Sequence, residues 1–212
     1  MAKIRAGILS KVSGKVAGVV GGTWKGTNYL RELVKPANPN TPLQQAQRSK
    51  MAFVVKAARQ LIGDVLNPYL NKFCKEMSGY NWFCKENIGK STGTPLAFTS
   101  APEYSFGTLS NGGGAAAPYE DNSRCDTNSL PTVGDGHTLK FIAVAMLSDG
   151  SYAKVATNAN VTSATDIVSD IVVDGEDPDG KYYIGGFFAD FDANGVLQAL
   201  SATVQFGTVT LS

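Results

Sequence analysis

The period of the apolar residues changes along the chain, and that change limits the folds open to it. Met51, Val54, Val55, Ala58, Leu61, Ile62, Val65 and Leu66 fall on a 3/4/7 spacing, which lines one face of a helix. Beyond residue 137 that spacing gives way to β-branched and aromatic runs: Leu139–Leu147, Ser151–Ala156, Ile167–Val173, Tyr182–Phe191 and Val196–Leu211. Asp149-Gly150, Asp174-Gly175, Asp179-Gly180 and Asn194-Gly195 punctuate them, and such pairs suit tight antiparallel turns. Helices first and strands after predict an α+β chain. We expect an N-terminal β-hairpin arm and a helical hairpin, then a C-terminal antiparallel β-sandwich of immunoglobulin-like or jelly-roll-like type.

Four segments follow from composition. Residues 1–36 form a basic arm punctuated by Gly7, Gly14, Gly18, Gly21, Gly22 and Gly26. Val16–Val20 and Trp24–Val34 read as its strands, with Gly21-Gly22 as the hairpin turn. Its apolar mass is too small for a core of its own. Residues 37–90 are helical. Thr41 with Gln44 makes a capping box, and Pro42 suits the first helical position. Asn67-Pro68 predicts the end of this helix and the start of a second through Tyr69, Leu70, Phe73 and Met77, and Ser78-Gly79 breaks the chain again. Residues 91–136 read as linker with short strands, because Ser91–Pro95 and Asn111–Pro118 are turn-forming or low in complexity. Residues 137–212 are the β-domain.

Charge is segregated in the same direction. Residues 1–90 hold 15 Lys/Arg against 4 Asp/Glu, and residues 91–212 hold 4 against 14, although the whole chain sums to +1. Such a division points to an association surface, with an anionic partner or between the halves of neighbouring copies, unless the two halves of one chain pack together. The candidate contacts are Lys3, Arg5, Lys11, Lys15, Lys25, Arg31 and Lys35 on the basic side. Asp174, Glu176, Asp177 and Asp179 form the acidic partner surface. The basic arm, with Trp24 and Tyr29 interleaved, also suits phosphates and bases.

Catalytic chemistry finds little support. His137 is the single histidine and reads as an exposed turn residue without a partner. No G-x-S-x-G, H-E-x-x-H or P-loop occurs. Cys74, Cys84 and Cys125 are spaced neither as a disulfide framework nor as a zinc site, and whether Cys74 and Cys84 pair is left open. Asp190, Asp192 and Asn194 start like a calcium loop, but position twelve is Ser201 where a bidentate Glu belongs. We expect no enzyme, cofactor, metal or small-molecule substrate. With no apolar run of about 18 residues, we also expect no membrane span, and the first residues lack the apolar core of a secretory signal.

Several motifs resemble a family of uncharacterised proteins from Bacteroidetes bacteria and their phages. They are Gly7-Ile8-Leu9 through Gly14-Lys15-Val16, Val19-Val20-Gly21, Trp24-Lys25-Gly26, Leu30-Arg31 and Pro36–Arg48 with its Asn-Pro-Asn-Thr-Pro start. Ser78–Phe83 with Asn87, and Gly180–Ile184 with Phe187-Phe188, look like further parts of the same pattern. The resemblance implies a structural virion subunit, capsid or tail, assembled in the host cytoplasm from copies of itself and other virion proteins. A nucleic-acid-associated virion or chromosomal protein is the alternative, and a cell-surface filament subunit the third.

Overall fold

The computed structural model describes residues 2–4, 14–35, 37, 40–92, 95–110, 127, 129–164, 171–172 and 176–211. It divides into two units, Met1–Thr41 and Pro42–Ser212.

The first unit is an antiparallel sheet of β1 (Ala2–Ile4), β2 (Gly14–Val16), β3 (Val19–Trp24) and β4 (Thr27–Glu32) in the order β1-β4-β3-β2. Its turns differ from the expected one. Gly21-Gly22 lies inside β3, and the chain reverses at Ala17-Gly18 and at Lys25-Gly26. Lys25 and Gly26 have φ of 47° and 75°, the paired positive φ that a two-residue hairpin turn requires. Gly22 serves the strand instead. It pairs with Tyr29, and a Cβ added to Gly22 would meet the Tyr29 Oη at 2.8 Å. The tyrosine ring therefore lies across β3 and covers the glycine backbone, a cross-strand arrangement that supports glycine in a strand.

In the second unit the helix starts at Pro42 as expected. It does not stop at Asn67-Pro68. Helix α1 (Pro42–Leu61) runs into a π-helical segment, Ile62–Leu70, with Pro68 inside it, and then into a short α2 (Asn71–Phe73). Proline removes one N–H donor and crowds the preceding α-helical turn. The wider π turn absorbs both effects, and the Asn71 N–H reaches back to the Leu66 carbonyl. The chain then breaks, and Ser78 caps a further helix, α3 (Gly79–Asn87), its Oγ accepting from the Asn81 N–H at 3.3 Å.

The chain is α+β, but among the described residues the strands of the β-domain form a single sheet. The strands β7 (Thr138–Leu147), β8 (Ala153–Asn158), β9 (Gly180–Phe191), β10 (Leu197–Leu200) and β11 (Val204–Leu211) pair antiparallel. β9 is central: β7 lies along one edge, while β11 and β10 share the other. The run Val196–Leu211 thus divides into two strands. Before these, β5 (Ser91–Thr92) and β6 (Ala97–Phe98) make a small ribbon.

Where the sandwich needed a second sheet, the helices take its place. Phe53, Val54, Ala57, Leu61, Leu66 and Leu70 join Ile142, Val144, Met146, Tyr183 and Phe187 in one core. The opposite face carries Phe141, Ala143, Ala145, Tyr182, Ile184 and Phe188, covered by Val161, Ile171, Val172, Leu130 and Val133. Burial on both faces explains why β7 and β9 read as continuous apolar runs rather than alternating ones. Nor are residues 95–110 a linker. Phe98 and Tyr104 are buried in the helix-side core, and the expected strand Ile167–Val173 lies mostly outside the described residues.

Candidate functional site

The sheet of the first unit gathers the basic candidates through its register. Directly opposed residues of an antiparallel pair share a face. Val20 pairs with both Lys15 and Arg31, Tyr29 pairs with Gly22, and Trp24 pairs with Thr27. Lys15, Val20, Arg31, Tyr29 and Trp24 therefore lie on one face, and Lys3 of β1 stands opposite Tyr29. Lys15, Lys25 and Arg31 are exposed, Tyr29 is half-buried, and Trp24 is 70% exposed. The Lys25 ammonium lies 6.0 Å from the Trp24 ring. Lys35 follows β4 and is exposed. Arg5 and Lys11 lie outside the described residues.

The acidic partner surface is not assembled as expected. Glu176 and Asp179 are exposed, but Asp177 is buried with a side chain 3% exposed. Its carboxylate accepts from Lys154 Nζ at 3.0 Å and from the Tyr152 hydroxyl at 2.9 Å. Burial forces such a charge to find partners within the fold, so Asp177 has none to offer a neighbour. Asp174 lies outside the described residues.

His137 also departs from the exposed residue expected of it. Its Nδ1 lies 2.8 Å and 3.0 Å from the two oxygens of Asp190. The β7–β9 register pairs Leu139 with Asp190, which brings the turn before β7 to the end of β9. Asp190 is thereby committed. The Asp192 carboxylate caps its own turn, accepting from the N–H groups of Asn194 and Val196 and from Gln198 Nε2. The Val196 hydrogen bond is the main reason its pKa falls. Among the described residues no group of three or more His, Cys, Asp or Glu is placed to hold a metal. Cys74 and Cys84 are free thiols, both raised in pKa by burial.

A groove of about 410 Å³ beside α1 is lined by Gln44, Gln47, Arg48, Met51 and Ile88; it contains no general base. No helix of the described residues is long and apolar enough to cross a membrane.

Sequence reasoning missed one polar clamp. Asn87 is fully buried; its Nδ2 donates to the carbonyls of Phe83 (3.0 Å) and Glu103 (2.9 Å), and its Oδ1 accepts from the Glu103 N–H at 2.7 Å. Its sequence signal was its place beside Ser78–Phe83 in the resemblance pattern, which gave it no structural role.

These features define an α+β protein whose distinct surface is a basic and aromatic sheet. The chain belongs to the family of unknown function DUF6266, whose profile matches residues 11–190. No curated protein and no solved structure matches it.

Proposed function

We propose that the chain is a structural subunit of a bacteriophage particle, a capsid or tail component, that works by associating head to tail with copies of itself. The observation carrying this reading is the charge on the two sides of the central sheet. The helical segment, residues 42–90, holds eight Lys/Arg against three Asp/Glu. On the other side, the described residues of 127–137 and 159–179 present Asp135, Glu176 and Asp179 as exposed acids and include no Lys/Arg. Leu130, Val133, Val161, Ile171 and Val172 of those segments pack on the sheet face opposite the helices. Opposite charge on opposite sides of one subunit favours contacts between unlike patches, which close into rings or continue as filaments. The motif resemblance to proteins of Bacteroidetes bacteria and their phages supplies the setting.

Negative-stain microscopy with light scattering on the purified chain tests it. Rings, tubes or filaments at low salt support the proposal. A monomer at every concentration would overturn it, and the cell-surface reading would require filaments on intact cells.

A further inference from the structure

We infer that the face of the N-terminal sheet carrying Trp24, Tyr29, Lys15 and Arg31 is a binding platform for single-stranded nucleic acid, with bases stacked on the two rings and phosphates held by the flanking cations. This goes beyond the assembly proposal and does not rest on it.

Three observations carry the inference. The first is charge: residues 1–41 hold seven Lys/Arg and one acid, Glu32. Glu32 pairs with Val19, and so falls on the face away from Lys15 and Arg31. The cations on the platform therefore have no carboxylate of their own sheet beside them.

The second is the pose of Tyr29. Its ring crosses β3 above Gly22, where a Cβ would come within 3.0 Å of its Cζ. A ring resting on backbone offers a flat surface, whereas a ring standing between side chains offers an edge. Glycine at position 22 makes that pose available.

The third is Trp24. A tryptophan 70% exposed beside the Lys25 ammonium is an apolar surface left in water, the kind of residue that anchors interfaces. Trp24 and Tyr29 sit diagonally across β3 and β4, roughly 7–8 Å apart in a regular ladder. Neighbouring bases of an extended strand reach across such a gap. An acidic segment of a second copy would satisfy Lys15 and Arg31 but would leave both rings without a stacking partner, and so the observations favour nucleic acid.

The test is fluorescence anisotropy of the full chain with labelled oligo(dT) and oligo(U) of about 15 nucleotides, within the usual site size for such platforms. Trp24→Ala and Tyr29→Ala are each expected to weaken binding about tenfold, in line with the worth of one stacked base. Trp24→Phe should recover most of the loss. Lys15→Gln and Arg31→Gln should each lower the salt slope by about 0.7. Should Tyr29→Ala lose its strand signal by circular dichroism, the Trp24→Ala and Trp24→Phe pair decides the matter at the exposed hairpin tip. Absence of binding, binding indifferent to Trp24, or equal displacement by polyglutamate would overturn the inference, the last assigning the face to acidic protein.

Discussion

Gly185 and Gly186 sit side by side in β9, and each serves a different face of the sheet. A Cβ on Gly185 would come within 3.0 Å of the Tyr104 ring, and one on Gly186 within 2.5 Å of the Phe141 ring and 2.7 Å of the Ile142 carbonyl. Gly186→Ala should therefore destabilise the protein by about 1–3 kcal/mol through overpacking. Urea denaturation with Gly63→Ala as control measures it, since a Cβ at Gly63 meets nothing within 4 Å. Asn87→Ala strands the Glu103 N–H and carbonyl and should cost about 1–3 kcal/mol. Asn87→Asp should not rescue it, because a carboxylate cannot donate to the two carbonyls. Tyr104 is the opposite case. Its buried hydroxyl has no hydrogen-bond partner among the described residues, so Tyr104→Phe should be neutral or stabilising in the same assay.

At the scale of elements, the junction between the π-helical segment and α3 is tight. The Gly79 N–H donates to Asn71 Oδ1 at 2.6 Å, and a Cβ on Gly79 would meet Leu70 Cβ at 2.7 Å and the Leu66 carbonyl at 2.9 Å. Ser78→Ala removes the cap of α3 and should cost about 1 kcal/mol, read as a lower thermal midpoint. In the first unit, Lys25 holds φ at 47°, a conformation that asparagine tolerates better. Lys25→Asn should strengthen the hairpin, seen as slower amide exchange along β3 and β4, while removing the cation beside Trp24.

At the scale of the whole molecule, buried phenols should set the alkaline limit of the second unit. Tyr182 is pushed up to about 12, first by burial and then by the nearby charges of Asp177, Tyr152, Asp149 and Asp179. Burial raises Tyr104 as well. A raised pKa means that the fold favours the protonated phenol. That contribution is fully present below the unfolded value of about 10 and is lost as pH rises through the folded one. A fraction of the tyrosines should accordingly ionise only together with the loss of far-ultraviolet circular dichroism, between about pH 10 and 12. Complete ionisation of an intact fold would contradict this. Assembly, if it follows the proposed contacts, is steered by charge. Arg59→Glu with Lys85→Glu should slow it, and Glu176→Lys with Asp179→Lys should partly restore it in the combined variant. Light-scattering time courses follow both, and ~1 M salt should erase the difference by shortening the Debye length to about 3 Å.

The amino-acid sequence by itself determined what depends on neighbours along the chain. The helical stripe from Met51 to Leu66, the start at Pro42, the long apolar runs that became β7 and β9 and the division of charge were all legible, because period, proline geometry and charge are local. Contacts distant in sequence decided the rest. Gly21-Gly22 became strand because Tyr29 crosses it, and Pro68 stayed within a helix because Val65, Leu66 and Leu70 bury on both sides of it. His137 and Asp177 acquired partners 53 and 23 residues away. One sheet replaced the sandwich because the helices, rather than a second set of strands, cover its face. Pairing and burial of that kind depend on which surfaces meet in three dimensions, and local pattern carries no record of it.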